Sequence, residues 1–305
     1  MNPTPSLEPG LADAVERVAR SVVGLGTRRH GMAAGVIWSP GVVLTAASAI
    51  GHASRVQVVL PDGETTAAEV RGVDIGTDLA VVSLPGGARV PAAERYDGPP
   101  LRVGDFVFAV GRNASGVTHA SFGRVGAAGG AWRTWRGGSV DSLLRLDGGL
   151  YPGLAGAPVA DAAGRVVGVA SPALSRHHGV VLPVQTVERV SAQLLAHGRV
   201  MRGHIGIAAQ PVALSAAMQS AAGTSAAFGL LVAGVGDDSP AARAGLQVGD
   251  IIVGAEGQAL PSIEALRDLL GGERIGKPLP LQLLRGGQPL SVNVDVAEHR
   301  PAHHC

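Results

Sequence analysis

Three observations on the 305-residue chain predict a mainly β fold. Glycine (45) and proline (20) are abundant while aromatic residues make up 3%, which favours short strands joined by turns. Apolar, β-branched runs recur at close spacing, and almost no helical periodicity separates them. The chain is 46% hydrophobic and 16% charged, the composition of a folded protein, and it is longer than one core usually serves, so two domains are expected.

The elements follow in order. A short helical start covers Leu11 to Val22. SVVGLG, AAGVIWS, GVVLTAA, RVQVVLPDG, DLAVVSLP, DFVFAVG, RVVGVAS and GVVLPV then read as strands, because Gly, Pro, Asp or Asn punctuates most of them. TVERVSAQLLAH sets Val187, Val190, Leu194 and Leu195 at helical spacing and stops at Gly198, a helix that closes the first domain. A second unit starts near Arg202 with GLLVAGV, DDSPAARAGL, DIIVGAEGQ, SIEALRDLLGG and LPLQLLRGGQPLSVNVDV, a strand, helix, strand, helix, strand order. Ser239 is placed to cap a short helix with Pro240 at its first position and Gly245 past its end, and Ser262 to cap the next. Val212 to Ala227 is rich in Ala and Ser and reads as helix or loop.

Charge and cysteine usage exclude several classes. A formal net charge of +1, with no block of Lys and Arg, leaves no electrostatic footprint for nucleic acid. The single cysteine, Cys305, permits no intrachain disulfide and no Cys-rich metal site; no metal or other cofactor is expected. Residues 1 to 20 carry charge and three prolines but no apolar signal core, so the chain as numbered is expected in the cytoplasm. The uncharged run from Gly31 to Ser54 is long enough to span a membrane, yet Ser39-Pro40-Gly41 in its middle is turn chemistry, and two strands around a turn explain it better.

Four landmarks, GVIWSPGVVLTAAS, TDLAVVSL, YPGLAGAPVADAAGRVVGVAS and SPAARAGLQVGDIIVGAEGQ, occur in that order and at suitable separations. From Leu11 to about Val296 the chain thereby resembles the high-temperature-requirement (HtrA/Deg) family, which joins a trypsin-like double β-barrel to an α+β PDZ domain. The resemblance implies an N-terminal tail at 1–10, a protease-like domain at 11–200, a PDZ domain at 201–297 and a C-terminal tail at 298–305.

In that family an LTxxH motif supplies a general base, a DLA motif the orienting aspartate and GNSGGP the nucleophile. By position these fall on Ser48, Asp78 and Ala155, so only the aspartate is kept. Acyl transfer needs a nucleophile and a base of near-neutral pKa, and the carboxylate only orients that base. A catalytically inactive homologue is therefore expected, with Asp78 as a structural acceptor for Ser48 and nearby amides. Leu154 stands in place of a polar residue and Ala157 in place of a glycine, while Gly153 and the Ala155 amide keep the makings of an oxyanion-hole-like nest. His52 reads as a turn residue after Gly51, with a helical face shared with Ser48 as the alternative. His119, His177 and His178 read as loop residues, and Ser115 and Ser139 as serines without a base. His299, His303 and His304 beside Cys305 read as a tail rather than a chelating set.

The resemblance also places a carboxylate-binding loop and the start of a peptide-pairing strand on RGHIGI: Gly203, His204, Ile205, Gly206 and Ile207. Leu266 and Leu270, on the helix from Ser262, line either the peptide groove or the core; periodicity does not separate the two. The expected partners are peptide C-termini or unfolded segments, with an active HtrA-like relative as a further partner to regulate. The alternatives are a serine endopeptidase with an unrecognised active site and a purely structural subunit. The family's trimer forms through aromatic residues near the start of the protease domain, and residues 1 to 35 here contain none, so trimerisation is not carried over. The family is also often exported.

Overall fold

The structure, a computed structural model, describes residues 8–27, 31–87, 90–113, 115–175 and 177–298. The chain divides after Val200 into two compact units. The first begins with helix α1 (Glu8–Ala19), followed by β1 (Val22–Thr27), β2 (Gly31–Ser39), β3 (Val42–Ala46), a single helical turn α2 (Ala47–Ile50), β4 (Arg55–Val59), β5 (Thr65–Asp74) and β6 (Leu79–Ser83). These strands close into a barrel in the order β1-β2-β3-β6-β5-β4. Closure removes the free edges that a short-stranded sheet would otherwise expose.

A second closed barrel, in the order β11-β14-β13-β12-β7-β8, is built from β7 (Phe106–Arg112), β8 (Thr118–Gly129), β11 (Leu143–Leu146), β12 (Pro158–Asp161), β13 (Val166–Ser171) and β14 (Val180–Pro183). A two-stranded ribbon, β9 (Trp132–Arg133) with β10 (Ser139–Val140), stands apart from it. Helix α3 (Val184–His197) packs across β5, β6 and β13, and ends on Gly198 in the left-handed region. Val187, Val190 and Leu194 of its apolar stripe are fully buried, in one core with Trp38, Leu44, Leu79 and Leu182. Arg112, 6% exposed, donates to the carbonyls of Ala19, Val22 and Gly116 and so ties the end of α1 to the start of β1.

The second unit contains β15 (Gly203–His204), β16 (Ile207–Ala213), α4 (Ala216–Ala222), β17 (Phe228–Val235), α5 (Pro240–Arg243), β18 (Ile251–Ala255), β19 (Gln258–Ala259), α6 (Ile263–Leu269), β20 (Pro278–Arg285), β21 (Gln288–Asp295) and β22 (Ala297–Glu298). Its main sheet runs β16-β17-β18-β20-β21, so β16 is an edge strand, and β15 pairs with β22. Ser239 and Ser262 cap α5 and α6 by accepting the amides of Ala242 and Ala265. Between Val212 and Ala227 the chain finishes β16 and then forms α4, capped by Ser215. LPLQLLRGGQPLSVNVDV is two strands, because Gly286 and Gly287 both take positive φ and turn it into a hairpin.

No helix among the described residues is long and apolar enough to cross a membrane.

Candidate functional site

Ser48 and Asp78 are brought together by the turn that ends β3 and the residue that precedes β6. Asp78 is fully buried with φ at +60°. Its carbonyl accepts the Ala47 amide at 3.0 Å, and its carboxylate accepts three further donors: the Ser48 amide at 2.7 Å, the Ser48 hydroxyl at 3.2 Å and the Ser171 hydroxyl at 2.6 Å. Ser171 ends β13, so this carboxylate joins the two barrels. Burial raises the Asp78 carboxyl above the usual carboxylate range, against the opposing pull of the Ser171 and Ser48 donors and the Arg136 charge. Among the described residues no histidine bonds to it.

The loop from Gly153 to Ala157 is stitched to both barrels. The Ala155 carbonyl accepts the Ala34 amide (3.0 Å) from β2, while the Gly156 amide donates to Ala170 (2.9 Å) and the Ala170 amide to Ala157 (2.8 Å) in β13. Gly156 must be glycine: its φ is +77°, and a Cβ there would stand 2.3 Å from Thr45 Oγ1 and 2.5 Å from the Ala46 amide nitrogen. Leu154 and Ala157 are wholly buried in one core with Phe108, Val110 and Val159. The Gly153 and Ala155 amides donate to no acceptor among the described residues. A pair of free amides flanking a buried leucine is thus what this loop offers chemically.

The other candidates lie apart from this cluster. His52, His177, His178 and Ser115 are exposed. Ser139 is in β10, where its carbonyl accepts from Arg189. His119, read from the sequence as a loop residue, is instead part of a strand. It lies in β8 opposite Gly111, and its buried Nε2 has no partner among the described residues. It shares the space over Gly111 with Leu154: a Cβ on that glycine would meet His119 Nε2 at 2.6 Å and Leu154 Cδ2 at 2.9 Å. Only the β7–β8 register shows this, because eight residues separate His119 from Gly111 in the chain. Among the described residues no cluster of three His, Cys, Asp or Glu side chains is set to hold a metal ion. His299, His303, His304 and Cys305 lie outside the described residues.

In the second unit the RGHIGI segment is divided in role. The Gly203 amide is already donated to the Leu270 carbonyl at 2.9 Å, and the His204 ring pairs at 3.2 Å with the Ala297 carbonyl. Ile205 is 1% exposed and belongs to the core; its carbonyl accepts the Ala241 amide (2.8 Å), and that of Gly206 accepts the Gly236 amide (2.9 Å). Gly206 has φ +79°, and a Cβ on it would lie 2.3 Å from Ser239 Cβ. The amides of Ile205 and Gly206 donate to no acceptor among the described residues. Leu266 is 4% exposed and lies in the core, whereas Ile207, Ala209, Ile263, Leu269 and Leu270 pack on that core while partly exposed. Ile207 and Ala209 belong to β16, Ile263 and Leu269 to α6, and Leu270 ends that helix.

Residues 33–169 match the trypsin-like peptidase domain and residues 203–296 the PDZ domain. The putative serine protease HhoA of Synechocystis is 31% identical over 277 residues, covering 87% of this chain and 70% of that protein. A probable periplasmic DegP-like serine endoprotease of Pseudomonas savastanoi is 33% identical over 272 residues; this chain spans 55% of its length. Among solved structures, the HtrA-type protease AlgW with a tripeptide superposes with a TM-score of 0.77 at 29% identity, over 98% of this chain and 99% of that one. The serine endoprotease from Yersinia pestis gives 0.77 at 27% identity, over 98% and 100%. Two closed barrels followed by a PDZ domain, with relatives at this identity across most of the chain, establish that the protein belongs to the HtrA family.

Proposed function

We propose that this chain is a catalytically inactive HtrA homologue that binds peptide C-termini through its PDZ domain, as a regulator or chaperone-like protein. One observation supports the first half above the others: the Asp78 carboxylate is met by two serine hydroxyls and an amide, and a methyl group stands at position 155. A methyl group cannot attack a carbonyl, and a serine hydroxyl is no base at neutral pH. Treatment of the purified chain with a fluorophosphonate probe, followed by mass spectrometry, is expected to show no adduct, and casein is expected to stay intact. An adduct on a defined serine of the first unit would overturn the reading.

The second half is supported by the free amides at Ile205 and Gly206 beside an uncovered strand edge, the chemistry that captures a chain-terminal carboxylate. Amidating the terminus of a bound peptide removes the charge those amides meet, and binding should weaken by about 1–3 kcal/mol. Equal affinity of acid and amide forms in calorimetry would count against it.

A further inference from the structure

The outer edge of β16 has both a start and a stop. Two bonds set the parity of the ladder: the Gly236 amide donates to Gly206, and the Leu214 amide to Ala227. With the register Ala208–Gly234, Gln210–Leu231 and Val212–Gly229, Ala208, Gln210 and Val212 turn their polar groups toward β17. Ile207, Ala209, Pro211 and Ala213 turn theirs outward. Side chains follow the same alternation: Ile207 and Ala209 pack on the main core of this unit, and Val212 on the small core with Met218 and Ala222 of α4. Ile207 and Ala209, whose polar groups point outward, thus turn their side chains to the face that carries Leu266 of α6, and an added strand would run beside them along the free edge.

At the start of this edge the Gly203 amide reaches the Leu270 carbonyl, and Arg202 is bridged to Gly271. Backbone thus crosses from the entry of β16 to the end of α6. A chain running through the groove would meet that crossing, while a chain that stops there meets the amides of Ile205, Gly206 and Ile207. At the other end stands Pro211. It has no N–H to give, and its ring carbon occupies the place where an incoming carbonyl would lie about 2.9 Å from nitrogen. Proline in this orientation blunts an edge.

We propose that Pro211 ends strand pairing in this groove after about four peptide residues, while the Arg202–Gly271 and Gly203–Leu270 crossing closes it to chains that continue past it. The proposal rests on the PDZ reading above. With the carboxylate on the Ile205–Ile207 amides and the peptide antiparallel to β16, the last residue faces Ile207 and the third from the end faces Ala209. The fifth from the end faces Pro211, where pairing ends.

The test uses the full chain. Random octapeptides with free carboxylates are selected for binding, and the best is shortened to its last six, five and four residues and titrated by fluorescence anisotropy. In the wild-type chain the octapeptide and tetrapeptide should agree in Kd within twofold. In Pro211→Ala, and independently in Pro211→Thr, the octapeptide should bind about fivefold more tightly than the tetrapeptide, the effect of one added main-chain hydrogen bond. The same eight residues followed by a further six should lose at least 20-fold. An octapeptide fivefold tighter than its tetrapeptide on the wild-type chain overturns the proposal, as does an embedded segment that binds like the free end. If no free-carboxylate octapeptide binds at all, the PDZ reading itself falls and the length rule with it.

Discussion

Replacing Leu154 by Asn tests whether the loop from Gly153 to Ala157 serves packing. Leu154 is wholly buried, against Phe108 and Ala157 among others. Asn nearly matches leucine in size and leaves little cavity, so its cost is the lost apolar transfer energy of a buried leucine, about 1.5–3 kcal/mol, and an amide left without a partner in that space adds about 1–3 kcal/mol. His119 Nε2 borders the same space and is unpartnered, so one bond to the new amide offsets part of the second cost. The net expectation is about 3–5 kcal/mol, a large part of the stability of an ordinary domain. Urea denaturation followed by tryptophan emission isolates the effect, because Trp38, Trp132 and Trp135 all lie in the first unit. Leu154→Ala, run alongside, separates the cavity from the amide. A cost below about 1 kcal/mol for Leu154→Asn, the range of a surface change, would refute the idea that this loop now serves the core.

Further outcomes follow from the same contacts. Because burial raises the Asp78 carboxyl, the fold favours its protonated form; that contribution is full below about pH 4 and is lost as pH rises through the raised value. Asp78→Asn should therefore flatten the pH dependence of first-unit stability between pH 4 and 8, read by tryptophan emission, and an unchanged slope would contradict the assignment. Ser171→Ala removes the shortest donor to Asp78, at 2.6 Å, and should cost about 1.5–3 kcal/mol; Ser48→Ala, whose hydroxyl lies at 3.2 Å, should cost less. In the second unit the Arg285 guanidinium and the Gln247 amide hold the Asp250 carboxyl below its ordinary range, so its contribution is present above about pH 4 and lost as pH falls. Asp250→Asn should destabilise that unit by about 1–2 kcal/mol, since the Arg285 side chain is 35% exposed and its pairing is partly screened, and far-UV circular dichroism at pH 7 measures it. Ser48→His with Ala155→Ser should cleave casein at least about 10³-fold more slowly than an active HtrA protease, since Leu154 and Ala157 still hold the loop; rates within tenfold would show the loop to be permissive.

Strands with consecutive β-branched and apolar residues, such as those around Val43 and Val81, were legible because burial on both faces writes a continuous apolar run. β5 and β8 were not. TTAAEVRGVD and THASFGRVGAAG bury few side chains, so they carry neither an apolar run nor strict alternation, and only the ladder defines them. The caps at Ser239 and Ser262 could be read because a cap is a local bond to the next turn. The surroundings of Asp78 could be read only in part. Ser48 is a motif neighbour, but Ser171 lies 93 residues away and has no local signature. Leu266 and Leu270 show the same limit in the second unit: Leu266 lies in α6 and in the core, whereas Leu270 ends the helix in a non-helical conformation and packs on that core partly exposed, a departure that helical spacing does not reveal.

The Arg112 contacts bear on how the N-terminal helix behaves under proteolysis. A guanidinium that is 6% exposed and answered by carbonyls from Ala19, Val22 and Gly116 has part of its hydration replaced by the last turn of α1. Cutting that helix away would remove the Ala19 acceptor, which water can replace, and would uncover the core that Ala14 and Val18 cover, which water cannot satisfy. Proteolytic loss of α1 should therefore lower the stability of the barrel whose core it covers.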